Sequence, residues 1–205
     1  MRGSHVKTMP SEFAAWLALA SPDWEPSYPL PGDIRVFVVD ALSCAQRGLC
    51  VYCGRRLHLG QPGQFHIEHF RPRSTYPDLQ LDLDNLFLSC GPEAKAGKPS
   101  ETCGHAKADR FDETGCVEPN YPSCTHRFRF LLSGEVATAL AGDTPAESMI
   151  DVLNLNHPEF RKDRADVLDH IDRDGLDIDD FVDPATGIVQ SYAHVFCEHL
   201  GTAIP

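Results

Sequence analysis

The sequence predicts an α+β fold, mostly helical overall, in which a small metal-stapled core of two strands and one helix is flanked by further helices. Three observations support this prediction. Cys50 and Cys53 have the Cys-x2-Cys spacing at which two thiolates can bind one metal ion. Two short apolar segments bounded by turn residues follow them, as expected of strands. Apolar residues also recur at helical spacing on both sides of this region.

The length and the amino-acid composition are those of an ordinary globular protein. The 205 residues, 42% hydrophobic and 23% charged, suffice for one compact domain or for a small domain with a helical extension. No segment approaches the roughly 20 apolar residues of a membrane span, and there is no signal-peptide core. We therefore expect a cytoplasmic protein without a membrane partner, whose eight cysteines favour metal ligation over disulfides. Residues 1–5 resemble a vector leader and are given no structural weight.

The charge is unevenly distributed along the chain. We predict an N-terminal helical segment at 1–47, a core at 48–112 and a mainly helical acidic extension at 113–205. The net charge of −12 divides into −1 over residues 1–47, 0 over 48–130 and −11 over 131–205. The core is therefore neutral, and the last third, which carries the acidity, would repel nucleic acid.

Periodicity and turn residues predict the individual elements. In chain order these are helices over 10–20 and 33–48, strands over 64–70 and 86–89, a helix from 103, a hairpin of 128–132 with 135–139, and helices over 146–155, beyond 156 and over 187–200. Ser11 is the predicted N-cap of the first helix, and Asn156 that of the helix with Pro158 in its first turn. Four prolines between residues 21 and 31 enforce an irregular connection.

Four cysteines are the expected ligands of a structural zinc ion: Cys50, Cys53, Cys90 and Cys103. Thiolates suit structural zinc, and the knuckle at Cys50 and Cys53 can point both sulfurs inward. Twelve residues separate Cys90 from Cys103, so this insertion must loop out if both sulfurs reach one ion. In a less favoured alternative, His105 completes the zinc site in place of Cys103 and is lost to catalysis.

Four motifs in this order resemble the HNH endonucleases: Cys-x2-Cys at 50–53, Ile-Glu-His-Phe-x-Pro-x-Ser at 67–74, Asn-Leu-x-x-x-Cys at 85–90 and Cys-Gly-His-x-Lys at 103–107. More specifically, they resemble the HNH subunit of Septu-type and retron-associated anti-phage systems. The strong resemblance covers residues 50–109, and a weaker one extends to about residue 173. It implies a zinc-stapled ββα-metal core (HNH, treble-clef-like), hydrolysis of DNA to 5′-phosphate and 3′-hydroxyl ends, and an ATPase subunit as partner.

Phosphodiester hydrolysis needs a nucleophilic water, a cation against the developing charge and fixed geometry. His69 is the candidate general base, because imidazole titrates near neutral pH. Glu68, where many HNH members have Asp, would bind a catalytic Mg²⁺ or Mn²⁺ ion with His105 as the second protein ligand. The resemblance implies that Asn85 holds His69 in place. Because adjacent strand residues face opposite sides, the strand should end or bend at Glu68 and His69. His66, on the face of Glu68, is interpreted as a structural or substrate-contacting residue rather than a ligand.

Arg71, Arg73 and Lys107 are the expected nucleic-acid contacts, whereas Lys95 and Lys98 are equally consistent with solvated charge. DNA is the favoured substrate, and RNA such as tRNA is an alternative that would use the same residues. A non-catalytic zinc adaptor is a further alternative, but it leaves the cluster of His, Glu and Asn unexplained. The acidic last third is interpreted as a docking surface for a protein partner or as a means of keeping the free nuclease weak.

Overall fold

The computed structural model of the protein describes residues 1–61, 63–91 and 101–203. Lys95 and Lys98, and most of the insertion between Cys90 and Cys103, lie outside the described residues. Within the described ranges, no helix has both the length and the apolar character needed to cross a bilayer.

Two helices precede the core, as predicted. Helix α1 spans Ser11–Leu17 and helix α2 spans Gly32–Gln46. The predicted cap of α1 is wrong, because Pro10 occupies the N-cap position, Ser11 is already the first helical residue, and no side chain bonds to the cap. Gly48, at φ +73°, lies in the left-handed turn that ends α2 and leads the chain into the metal-binding knuckle.

The centre of the molecule is a two-stranded sheet followed by a short helix. Strand β1 (Phe65–His69) pairs antiparallel with β2 (Leu86–Cys90), with His69 opposite Leu86. Helix α3 (Cys103–Lys107) follows them in the chain. The predicted ββα arrangement is therefore confirmed, and each strand limit lies within one residue of its predicted position.

The outer edge of β2 is covered by α2. The Gln46 side chain is fully buried at the end of α2; its Nε2 donates to the Leu88 carbonyl (2.8 Å), and its Oε1 accepts the Leu88 N–H (2.7 Å). The glutamine amide thus takes the place of a third strand at this point. It satisfies backbone groups that burial would otherwise leave without partners.

A hairpin and three helices follow the core. They are β3 (Phe128–Phe130) paired with β4 (Val136–Thr138), then α4 (Thr144–Val152), α5 (Pro158–Asp174) and α6 (Ala193–Leu200). These elements confirm the predicted order, although α6 begins at Ala193 rather than Gly187. The predicted cap Asn156 is wrong: His157 caps α5, and the Asn156 side chain bonds instead to the backbone of Val136 (2.8 and 2.9 Å).

One cluster of buried apolar side chains draws on all three predicted segments. Val38, Phe87 and Leu153 are each fully buried in it. A second, smaller cluster joins α5 to α6 through residues such as Leu168 and Phe196. The first segment, the ββα core and the last segment therefore share apolar packing.

Residues 1–4 are buried and form part of the fold, so the expectation of a vector leader without a structural role is wrong. The Gly3 N–H donates to the Val51 carbonyl (2.9 Å), and the Thr125 hydroxyl donates to the Met1 carbonyl (2.8 Å). These residues thus connect the knuckle to the region before β3. No pattern in the sequence distinguishes them from a solvated leader.

Candidate metal centre and active site

The knuckle between α2 and β1 brings two cysteines together. The Gly54 N–H donates to the Cys50 carbonyl (3.0 Å) and closes the turn that carries Cys50 and Cys53. Gly54 has φ +75°, and a Cβ at this position would lie 2.2 Å from the ring of His194 in α6. Both the turn and the packing of α6 against it therefore require glycine.

Two further cysteines reach the knuckle from the ββα core. Cys90 is the last residue of β2 and Cys103 the first of α3, and the four sulfurs all lie within 4.8 Å of one another. In the parts of the chain that the structure describes, this is the one group of three or more candidate ligands so close together. Cys103 completes the cluster, so the alternative with His105 in its place does not describe this structure.

The spacing of the sulfurs fits a tetrahedral zinc ion. Zn–S bonds of about 2.3 Å place ligand sulfurs about 3.8 Å apart, and Cys53 Sγ lies 3.7 Å from Cys90 Sγ. The N–H groups of Arg55 and Cys90 point at the sulfurs of Cys53 and Cys50 (3.5 and 3.4 Å). Burial and the neighbouring sulfurs raise the pKa of the Cys103 thiol well above its usual value, and a bound dication would remove this penalty. The cluster can therefore hold a metal ion such as zinc.

Glu68 is held from three sides in a buried position on β1. Its Oε1 lies 2.9 Å from the Lys107 Nζ and accepts the Tyr52 hydroxyl (3.1 Å), and its Oε2 lies 3.5 Å from His66 Nε2. Burial raises the pKa of Glu68, but His66 and Lys107 outweigh burial and leave this pKa below its usual value. Glu68 is therefore an anion in the folded protein, as a metal ligand must be.

Helix α3 lies directly against Glu68 and His66. A Cβ on Gly104 would lie 2.5 Å from Glu68 Oε2 and 2.7 Å from His66 Nε2, so the close approach depends on glycine. The ring of His105, the predicted second ligand, stacks on that of His66 with centroids 4.3 Å apart. His105 and Glu68 thus flank the same histidine. Over the described ranges, however, they do not join a group of three ligand atoms within 4.8 Å.

His69 is the residue at which β1 ends, as expected, and its ring has different partners from the Glu68 carboxylate. Its Nε2 lies 3.0 Å from the Gln80 carbonyl oxygen, and its ring meets the Tyr28 ring edge-on with centroids 4.7 Å apart. Because a carbonyl oxygen only accepts, Nε2 carries the proton and Nδ1 keeps its lone pair. Burial lowers the pKa of His69 to about 4, so the ring is neutral at pH 7.

Asn85 organises the loop after β1 rather than the His69 ring itself. Its Oδ1 accepts the Arg71 N–H (2.7 Å), and its Nδ2 donates to the carbonyls of Arg71 (3.0 Å) and Leu79 (3.1 Å). Gln80, whose carbonyl binds the His69 ring, directly follows Leu79. Asn85 therefore supports His69 through the backbone on both sides, which is less direct than the resemblance implies.

Lys107 does not lie where a nucleic-acid contact would need it. The residue is 1% exposed, and its ammonium group faces Glu68 and the His69 carbonyl (3.3 Å). A phosphate could reach this group only if Glu68 lost its partner. The prediction that Lys107 contacts nucleic acid is therefore replaced by a role in holding Glu68.

The two predicted arginine contacts are more accessible. Arg73 is exposed, and its guanidinium group lies 4.5 Å from the ring centroid of Tyr28, which contacts His69. Arg71 is partly buried, and its guanidinium pairs with Glu118. Of the two, Arg73 is the more exposed, and it lies beside the Tyr28 ring that contacts His69.

The partners that hold these side chains could not be identified from the sequence motifs. Tyr52 supports Glu68, and its position inside the Cys-x2-Cys turn was the one available signal. Ser89 accepts the Gly104 N–H (3.1 Å) and so ties β2 to α3. Gln80 acts through its backbone carbonyl, which no residue type can reveal.

Two strands and a helix stapled by four cysteines, with an anionic Glu68 and a neutral His69 at the end of β1, define a ββα domain of the HNH type. The HNH endonuclease family model matches residues 50–92, which include Glu68, His69 and Asn85. The chain therefore carries an HNH domain over these residues.

Two relatives extend the likeness beyond this domain. The chain is 28% identical over 138 residues to a retron Vc95 protein of Vibrio cholerae serotype O1 biovar El Tor, named as a candidate HNH endonuclease, with 64% of this chain and 63% of that protein covered. It is 29% identical over 107 residues to the Septu protein PtuB of Bacillus thuringiensis, with 52% and 36% covered. The chain thus spans less than two thirds of the length of either relative.

Proposed function

We propose that the protein is a metal-dependent endonuclease that hydrolyses the phosphodiester bonds of DNA and acts as an effector of anti-phage defence. The observation that carries this proposal is the state of His69. The ring is buried and neutral, its Nε2–H is directed at the Gln80 carbonyl, and Nδ1 is left as a base. The likeness to a retron protein and a Septu protein supports the role in defence.

In the proposed reaction, His69 Nδ1 takes a proton from the attacking water while the water oxygen bonds to phosphorus. The bond between phosphorus and the 3′-oxygen breaks, which leaves 5′-phosphate and 3′-hydroxyl ends once the leaving oxygen has taken a proton from solvent. A base that is already neutral needs no prior deprotonation. The loop fixed by Asn85 and the edge of the Tyr28 ring keep the imidazole in one orientation.

A divalent ion, Mg²⁺ or Mn²⁺, would supply charge stabilisation for the leaving oxygen. Glu68 and His105 are its proposed protein ligands. Glu68 fits this role because it is anionic, and because Lys107 and Tyr52 engage only its Oε1. The cysteine cluster is proposed to hold a structural zinc ion, since thiolates suit zinc whereas carboxylate oxygens suit the harder ions. Arg73 is proposed to contact a phosphate of the DNA.

Cleavage of plasmid DNA and of total RNA by the wild type and by His69→Ala tests the proposal. We expect the wild type to cleave DNA with Mg²⁺ or Mn²⁺ and to stop in EDTA. His69→Ala should lose at least about 100-fold in rate, since a general base contributes about 10²–10⁴-fold. His58→Ala, which changes an exposed histidine, is the matched control and should cleave normally.

Each result has a different consequence. Undiminished cleavage by His69→Ala would contradict the assignment of the base, and cleavage that persists in EDTA would contradict the metal requirement. Cleavage of RNA alone, with the same dependence on His69, would make the protein a ribonuclease.

We also propose that an ATPase subunit binds the acidic surface of the last third. Residues 131–205 carry a net charge of −11, and the resemblance to Septu-type systems, which the likeness to a Septu protein supports, implies an ATPase partner. Removing the whole segment is a poor test, because Phe181 and Phe196 are buried in it. Replacing the exposed Asp174 and Asp179 by Lys preserves the packing and should weaken the complex in analytical ultracentrifugation.

The control for this test is the same charge change elsewhere on the surface. Asp23→Lys with Glu25→Lys alters two exposed acidic residues near the N-terminus and should leave the complex intact. Equal affinity for the ATPase in all three proteins would contradict an acidic docking surface.

A further inference from the structure

We infer that His66 is itself a protein ligand of the catalytic divalent ion, together with Oε2 of Glu68 and the ring of His105. The inference rests on the proposed metal-dependent function and adds a ligand to it. It reverses the interpretation of His66 as a structural or substrate-contacting residue, and it follows from four features of the site.

The nitrogen that would bind the ion is buried and, among the described residues, is not engaged in a hydrogen bond. His66 is 8% exposed, and its Nδ1 lies 3.2 Å from the Gly91 carbonyl oxygen, which places the proton on Nδ1. Among the described residues, Nε2 has no hydrogen-bond partner. Buried polar atoms in this state are rare. A histidine that binds a metal commonly donates its other N–H to a backbone carbonyl, as His66 does.

The position of this nitrogen beside Glu68 fits shared coordination. His66 and Glu68 are two residues apart on β1, so both side chains leave the same face of the strand. His66 Nε2 lies 3.5 Å from Glu68 Oε2. Adjacent donors of an octahedral ion, each about 2.1 Å from it, are about 3.0 Å apart. The observed separation is long for a hydrogen bond, and the two donors would close by about 0.5 Å when they bind one ion.

Glu68 already has a counter-charge, so a protonated His66 is not needed to neutralise it. The Lys107 ammonium group lies 2.9 Å from Oε1, and both groups are buried. Oε1 also accepts the Tyr52 hydroxyl (3.1 Å), so the carboxylate cannot rotate without losing two partners. Oε2 is therefore presented towards His66 in a fixed direction.

Helix α3 is shaped to this pair of donors. A Cβ on residue 104 would overlap both His66 Nε2 and Glu68 Oε2, so only glycine allows α3 to approach the two donors this closely. The next residue, His105, stacks its ring on His66 with planes 15° apart. The His105 ring therefore lies against His66, from where it would supply the third donor when the ion is bound.

Binding of Mn²⁺ to the zinc-loaded full-length protein tests the inference without any cleavage assay. Electron paramagnetic resonance measures the affinity, and its electron spin-echo form counts the imidazole nitrogens on the bound ion. We expect two nitrogens in the wild type and one in His66→Ala. The Mn²⁺ dissociation constant should rise at least about tenfold in His66→Ala, because even the partners of metal ligands change affinity about 10- to 100-fold.

The control is His58→Ala, which should bind Mn²⁺ like the wild type. Zinc content reports whether each variant is folded. If His66→Ala loses zinc, His66→Gln is measured in its place. The number of imidazole nitrogens on the ion in the wild type is a test that does not depend on any variant. One nitrogen in the wild type, or an unchanged count and affinity in His66→Ala, would overturn the inference and leave the proposed nuclease intact. If the wild type bound no Mn²⁺, the proposed divalent-ion site and this inference would both fail.

Discussion

A buried carboxylate that is proposed to bind a metal has to stay ionised and keep its direction, although the protein interior disfavours charge. At Glu68 this is achieved by Lys107, whose ammonium group is as deeply buried as the carboxylate, and by the Tyr52 hydroxyl. Both partners engage Oε1 and leave Oε2 towards α3. The buried ion pair is thus better understood as a way of orienting Glu68 than as a source of stability.

Removing the Lys107 ammonium group should destabilise the protein, because the Glu68 carboxylate would stay buried without a cation. In Lys107→Met we expect the free energy of unfolding to fall by about 3–5 kcal/mol. Adding Glu68→Gln removes the buried anion and should recover much of this loss. Urea denaturation of the zinc-loaded single and double variants measures both effects.

The control is Lys162→Met, which removes an exposed lysine from its pair with Asp166 and should change stability little. If Glu68→Gln failed to relieve the loss caused by Lys107→Met, the two residues would not act as a pair. Lys107 would then stabilise the fold through packing alone.

The residue types of the site could be predicted from the sequence, but their contacts could not. His69, Glu68 and the four cysteines are recognisable because their chemistry and spacing are unusual. In the sequence, Lys107 cannot be distinguished from a basic residue that contacts nucleic acid. Its burial beside Glu68 depends on the direction of α3, which the sequence does not show. The same is true of His66, whose significance depends on Nε2 having no described partner and on its distance from Glu68.

At the scale of single elements, α3 decides the geometry of the site. This five-residue helix begins at Cys103 in the metal cluster and ends at Lys107 beside Glu68. Cys103 has φ +57°, an uncommon conformation for a residue with a side chain, at the point where the chain enters the cluster. Between these two ends, Gly104 gives α3 its close contact with β1.

Gly104→Ala should therefore disturb the site more than the fold. The added methyl group would overlap Glu68 Oε2 and His66 Nε2, so α3 or β1 must move. We expect cleavage to fall by about 100-fold, the cost of displacing catalytic groups by about 1 Å. Zinc content, measured alongside, should remain that of the wild type.

Gly32→Ala offers the matched control, because Gly32 also lies in a helix and a Cβ there meets nothing within 4 Å. It should change neither cleavage nor zinc content. Normal cleavage by Gly104→Ala would show that the close approach of α3 is not required.

Secondary structure could be predicted well where apolar periodicity is strong and less well at its boundaries. The strands and the hairpin follow from alternation and turn residues, which are local signals. Asn156 has the local character of an N-cap, but the backbone of Val136 competes for its side chain and is the partner in the fold. The Gln46 side chain likewise forms hydrogen bonds with the backbone of Leu88 in β2. No local sequence pattern indicates either of these contacts.

At the scale of the whole molecule, the cluster of four cysteines lies where the parts of the chain meet. α2 leads into the knuckle, β2 and α3 supply the other two sulfurs, and Gly54 contacts the His194 ring of α6. Residues from all three predicted segments also share one apolar cluster. Loss of the metal should therefore affect the whole fold rather than the ββα core alone.

We expect a strong zinc chelator to lower the midpoint of thermal unfolding and to leave a single transition, because no segment keeps a complete core when the knuckle opens. Cys50→Ser should behave like the chelated protein, with zinc content near zero by mass spectrometry. Cys44→Ser, which changes an exposed cysteine outside the cluster, should retain zinc and the wild-type midpoint. Two separate transitions by circular dichroism would contradict the shared core, since they would show residues 113–205 unfolding independently of the metal centre.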